Sequence, residues 1–200
     1  MATPFSTWHE DHVHFAQLLD LLESQVILFN RGERPNYSLM ASIIHYMRHF
    51  GDRVHHPRED IAYARLVERD PDMEIMVNRL QQEHRVIANV GETLVDRLNE
   101  AESDMISSRA ALEAAAAMYL VYYRNHLSSE ERHVMPRTAR SLTAADWKAV
   151  DEAVPASADP LFGADVHQRF AVLRAQIESE ERAGSSQAET TNSPSPSART

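Results

Sequence analysis

The chain contains no cysteine. Disulfides, thiolate metal sites and cysteine nucleophiles are therefore excluded. Glycine is scarce, with five in 200 residues. Such a composition, rich in Ala, Leu, Glu and Arg, favours helix. No run approaches the roughly 18 consecutive apolar residues of a membrane span, so no membrane partner is expected. No segment alternates with strand periodicity. Basic excess is also missing: the formal charge is −10, which argues against a nucleic-acid partner, since such proteins usually carry a basic patch. The N-terminal MATPFSTWHEDH lacks a basic segment followed by an apolar run, so no secretory signal and a cytoplasmic location are expected. What the chain has in excess is histidine, eleven in all.

The remaining pattern reads as long amphipathic helices. Trp8, His12, Phe15, Leu19, Leu22 and Val26 form one stripe at steps of three and four, giving a helix over about 5–30. Gly32 and Pro35 break it. A second long helix is expected over about 38–69 and a third over about 73–102. A fourth, capped by Ser107 or Ser108, is expected to end near Ala139. Thr143-Ala-Ala-Asp146 offers a capping box for a short fifth helix, and 161–181 is amphipathic. The expected class is all-α: an antiparallel up-down four-helix bundle over 1–140, a helical extension over 141–182, and a disordered tail over 183–200, whose Ser, Thr, Pro and Gly have nothing to bury.

The two halves of the bundle repeat. His12 and His84 each follow an acid. About forty residues after each comes an H-x-x-x-E pair, His55/Glu59 and His126/Glu130. Residues i and i+4 lie on one helix face. Each hairpin can thus aim two imidazoles and a carboxylate inward. A single His on an apolar stripe is ordinarily a hydrogen-bonded core residue. Four interior His and two interior Glu without a metal would be costly buried polar groups. The matched spacing therefore points to metal coordination.

In the second helix two pairs compete, His55/Glu59 and His56/Asp60. At about 100° per residue the apolar face centres near Val54, and His56 points nearly opposite to it. This phase, and the match to His126/Glu130, selects His55 and Glu59 as ligands and places His56 and Asp60 at the rim. Pro57 can kink the helix and alter that phase. Imidazole and carboxylate without thiolate suit Fe, Mn or Zn. Tyr119, Tyr122 and Tyr123 are expected to pack, His45 and His49 to be solvated.

At HHPRED (55–60), EHR (83–85) and HLSSEERHVMP (126–136) the chain resembles the hemerythrin-like HHE cation-binding family over about residues 5–140. The resemblance implies an up-down four-helix bundle. It also implies a non-haem di-iron cofactor, oxo- or hydroxo-bridged and spanned by two carboxylates. Carried over by position, the metal ligands are His12, His55, Glu59, His84, His126 and Glu130. Oxygen carriers of this kind have a second His four residues from the third-helix ligand. Leu80 and Ala88 stand at that spacing here, and His9 is the candidate replacement. The function expected is binding or sensing of O2, NO or peroxide, or iron handling under oxidative or nitrosative stress. The ligand would be a small diatomic or peroxide; no motif identifies an electron donor or protein partner. The alternatives are a di-iron oxidoreductase reducing peroxide or NO, and a helical binding module with a structural metal.

Overall fold

The computed structural model describes residues 4–103 and 108–179. All regular structure among them is helical. Helix α1 spans Pro4–Asn30, and the turn after it closes on Gly32 at φ +81°, a conformation glycine adopts without a Cβ clash. Asn36 caps α2, Tyr37–Tyr46, by accepting the Leu39 N–H at 3.0 Å. A π-helical segment, π1, follows over Met47–His55 and runs directly into α3, His56–Arg69. A short 3-10 turn at Pro71–Met73 reverses the chain into α4, Glu74–Glu102. Ser108 caps α5, Arg109–Ser129. A second π-helical segment, π2, covers Glu130–Val134 and leads into α6, Met135–Ser141. The capping box expected at Thr143 and Asp146 is present and opens α7, Ala144–Ala153.

The expected second and fourth helices are thus continuous helical stretches interrupted by π winding. Each π segment ends two residues before a proline, Pro57 or Pro136. Proline supplies no N–H, and its ring crowds the carbonyl four residues back. Wider winding relieves that crowding. The next N–H bonds reach back five residues, His56 to Gly51 and Met135 to Glu130. Each π turn fits in one extra residue, which rotates everything after it by roughly 100° relative to an ideal α-helix.

The apolar stripe of α1 is buried as its spacing requires, including Trp8, Phe15, Leu19 and Leu22. Each such side chain contributes about 1.5–3 kcal/mol of burial. A lower apolar layer unites Trp8, Tyr63, Leu66, Leu80, Val134 and Val150. An upper aromatic layer places Phe15 edge-on to Phe50, Tyr46 and Tyr123. Polar residues at full burial lie between these layers.

The chain divides into two compact units, 1–159 and 160–200. In the second, the expected amphipathic segment is partly irregular: a 3-10 turn at Gln168–Phe170 precedes a helix over 171–179. The expected tail, 183–200, lies outside the described residues. No described helix is long and apolar enough to cross a membrane.

Candidate metal centre

All six residues selected from the sequence meet in the interior. His12, His55, His84 and His126 are at most 6% exposed, and Glu59 and Glu130 are fully buried. The His55 Nε2 lies 3.2 Å from Glu59, and the His126 Nε2 lies 3.2 Å from Glu130. His12 Nε2 approaches both carboxylates, at 3.4 and 3.5 Å. His84 Nε2 does the same at 3.7 and 3.6 Å. The two glutamates therefore sit between two sets of imidazoles.

A seventh residue joins them. His56, placed at the rim by ideal helical phase, is 3% exposed. Its ring stacks on His84 at 4.2 Å and meets His126 edge-on at 5.4 Å. The π1 segment is the reason: its extra residue turns His56 inward while His55 stays inward. His9 does not take the fifth place. Its side chain is 57% exposed and pairs with Glu131 at 2.9 Å.

The polar atoms divide into two groups that could each hold a metal ion. One comprises His56, Glu59, His84 and His126; the other comprises His12, His55 and Glu59. Glu130 borders both, because its Oε2 faces His12 and His126 and its Oε1 faces His84. The duplicated halves alone would give two equal positions. His56 breaks that equality, since Leu127 stands at the matching place in the second half. One position has three imidazoles and the other two.

Each imidazole is held from behind by an acid. Asp11 accepts from His55 Nδ1 and Asp60 from His84 Nδ1, both at 2.9 Å. Glu131 accepts from His12 Nδ1 at 2.9 Å and Glu83 from His126 Nδ1 at 3.3 Å. Asp52 lies 3.4 Å from His56 Nδ1. A carboxylate can only accept, so the Nδ1 atoms that bond these acids carry protons, and the Nε2 atoms face inward, where each can take either a second proton or a metal. The pattern follows the repeat: Asp11 with His55 matches Glu83 with His126, and Asp60 with His84 matches Glu131 with His12. The sequence shows Asp11 before His12, Glu83 before His84, and Asp60 in the second motif; it does not show that these three, like Glu131, each serve an imidazole on a different helical stretch.

Tyr63 was also missed. Its hydroxyl donates to Glu130 at 3.0 Å and Glu59 at 3.2 Å, tying the carboxylates together. Its position four residues after Glu59 was the available signal. Tyr123 and Tyr119 are buried, while Tyr122 is 42% exposed. The Tyr123 hydroxyl comes within 3.5 Å of His56 Nε2. Gly51 permits this, since a Cβ there would stand 2.9 Å from that oxygen.

The protonation pattern without metal reflects the same crowding. Burial opposes charge on His12, yet Glu131, Glu59 and Glu130 override it and push the ring up to about 10. Burial likewise opposes charge on His84, and Asp60, Glu130 and Glu59 push it up to about 10. Burial drives His56 well below its ordinary value, reinforced by the neighbouring His84 and His126. Burial alone would raise Glu59, but His55 and His12 hold it well below the usual carboxylate range.

Four buried atoms of the cluster, Glu59 Oε2, His84 Nε2, His126 Nε2 and Glu130 Oε2, have no hydrogen-bond partner. Leaving a buried polar atom unsatisfied costs about 1–3 kcal/mol. All four belong to the inward-facing donor set, and imidazole nitrogen with carboxylate oxygen suits iron, manganese or zinc. The residues present thus fit a metal.

The comparisons agree with this geometry. Neither the curated proteins nor the solved structures contain a significant match to the chain. The Hemerythrin HHE cation binding domain matches residues 3–138, which include every residue of the cluster. The chain belongs to the hemerythrin HHE cation-binding family.

Proposed function

We propose that this protein holds two iron ions in an up-down four-helix bundle and uses them to bind or sense O2, NO or peroxide. The bundle would consist of α1, the stretch α2–π1–α3, α4, and the stretch α5–π2–α6. Glu59 and Glu130 would bridge the ions. His56, His84 and His126 would complete one position, and His12 and His55 the other. The observation that carries this reading is the set of buried inward-facing Nε2 and carboxylate atoms without hydrogen-bond partners. Iron held there would supply a redox-active Lewis acid able to take a small ligand.

The chain's residues prepare the site in definite ways. The acids at Nδ1 fix ring orientation and raise the basicity of Nε2. Tyr63 holds the two carboxylates in register. The five imidazoles remove the shortage that a third-helix Leu80 and Ala88 would have created, so reversible ligand binding needs no further residue. A half-open pocket of about 260 Å³, bordered by Trp8, Asp11, Phe50, Val54, His55 and Arg58, touches one imidazole of the two-imidazole side, His55. A position with fewer protein ligands is the one with room for an outside molecule.

The test is anaerobic ferrous loading followed by separate titration with O2, NO and hydrogen peroxide, read by optical absorption. A new ligand-to-metal band that reverses on removing O2 or NO supports binding. Catalytic loss of peroxide or NO with an added reductant would move the assignment to an oxidoreductase. No spectral response to any of the three would refute this function.

A further inference from the structure

The chain has two tryptophans, and the fold brings them together. Trp8 lies on α1 and Trp147 on α7, yet their rings meet edge-on at 5.2 Å. Trp8 is 3% exposed and touches the centre on two sides. It meets Tyr63 at 6.4 Å and His55 at 6.2 Å. Trp147 is only half-buried. A short aromatic line therefore runs from the solvent side of α7 through Trp8 to Tyr63, whose hydroxyl bonds both central glutamates.

Helix α7 is fastened more firmly than packing of a short helix requires. Its Thr143 capping box fixes the first turn. Asp146 pairs with Arg69 of α3 at 2.7 Å. Arg58 of α3 donates to Asp151 at 2.5 Å and to the Val154 carbonyl. Both ends of α7 are thus pinned to α3, and Trp147 between them is held against Trp8. An apolar aliphatic side chain would fill that contact equally well. Indole is distinctive in giving up one electron more readily than any aliphatic group.

We propose that Trp147 and Trp8 form a relay that carries single electrons between the protein surface and Tyr63 beside the centre. The step balances as follows. Tyr63 would give one electron to ferric iron of the proposed centre, which is the oxidant, while its phenolic proton passes to Glu130 along their 3.0 Å hydrogen bond. Trp8 returns an electron to Tyr63 and the proton comes back. Trp147 then reduces Trp8, and a soluble one-electron reductant of the ascorbate or thiol class restores Trp147. The net change would be one electron moved from the reductant to that iron, with every protein bond and proton restored. The line of rings matters because electron tunnelling weakens exponentially with distance, and three short steps replace one long one.

This relay rests on the proposed function for its purpose, but it can be tested without metal. In the metal-free protein, a photo-excited ruthenium polypyridyl complex with a sacrificial electron acceptor oxidises exposed aromatic groups, and oxidation of Trp147 drives an electron through the same ring contacts in the outward sense. Transient absorption should show an indole radical that decays as a phenoxyl radical grows. Trp8→Phe keeps a ring in the core but should leave the indole radical several-fold longer-lived and abolish the phenoxyl growth. Tyr63→Phe should abolish the growth that tracks indole decay and leave only the prompt phenoxyl signal of exposed Tyr122, and Trp147→Phe should prevent the indole step. Circular dichroism confirms folding of each variant, and Trp147→Phe changes a half-buried position that folding tolerates best. An unchanged phenoxyl yield in Trp8→Phe or in Trp147→Phe would overturn the relay. Radical transfer in a chain that takes up no iron would keep the relay and refute the metal reading; iron uptake without radical transfer would do the reverse.

Discussion

Replacing His56 by alanine should weaken one of the two metal positions enough for its iron to be lost on desalting. The imidazole lies against His84 at 4.2 Å and belongs to the group His56, Glu59, His84 and His126. Without it, that position is left with two imidazoles and the shared carboxylates, and a void where the ring stacked. Asp60→Ala is the informative comparison. Asp60 touches only the far nitrogen of His84. Loss of such an orienting group typically lowers metal affinity about 10–100-fold without removing a ligand. The two variants should therefore differ in degree. Asp60→Ala should still hold about two irons per chain after desalting, with a weaker half-saturation. His56→Ala should lose its second iron on desalting, because a direct ligand is gone and a void stands in its place. Anaerobic ferrous titration with elemental analysis of the desalted protein reads both quantities, and circular dichroism shows that the fold survives. Two tightly held irons in His56→Ala would refute the placement of His56 and restore it to the rim.

Other consequences follow from the same contacts. Without metal, His12 and His84 titrate near 10 when folded, against about 6.5 when unfolded. Their contribution to stability is complete below about pH 6.5 and is lost as pH rises toward 10. The melting temperature of the metal-free protein should fall across that window, and the slope should shrink when metal replaces the protons; an equal slope in both forms would contradict the charge assignment. Gly51→Ala should push the Tyr123 hydroxyl from His56 and alter the absorption spectrum of the loaded protein, an effect absent if the tyrosine merely packs. Thr143→Ala removes the cap of α7 and should cost about 0.5–2 kcal/mol in denaturant unfolding, with metal content unchanged.

Much of this was legible in the sequence, and the parts that were not share a cause. The stripe from Trp8 to Val26 gave α1, and Thr143 with Asp146 gave α7, because both depend on local spacing. The six inward residues were legible because the halves repeat, and a repeat of polar residues on apolar faces has few explanations other than a shared site. His56 was not, because its direction depends on π winding. Pro57 signals that the helix is disturbed, but not by how much it turns. The pairing of Asp11 with His55, or Glu83 with His126, depends on how separate helices meet, and no neighbouring residue in the chain reports it. Tyr63 stands one turn after Glu59, but nothing in the chain reports its bond to Glu130 on another helical stretch.

The central claim is that seven buried side chains hold two irons per chain. Protein purified without a histidine tag, stripped of metal, loaded with ferrous ion under anaerobic conditions and desalted should contain about two iron atoms per chain by elemental analysis. Its oxidised form should show ligand-to-metal absorption that disappears when acid protonates the imidazoles. One zinc per chain with no uptake of iron would contradict the account.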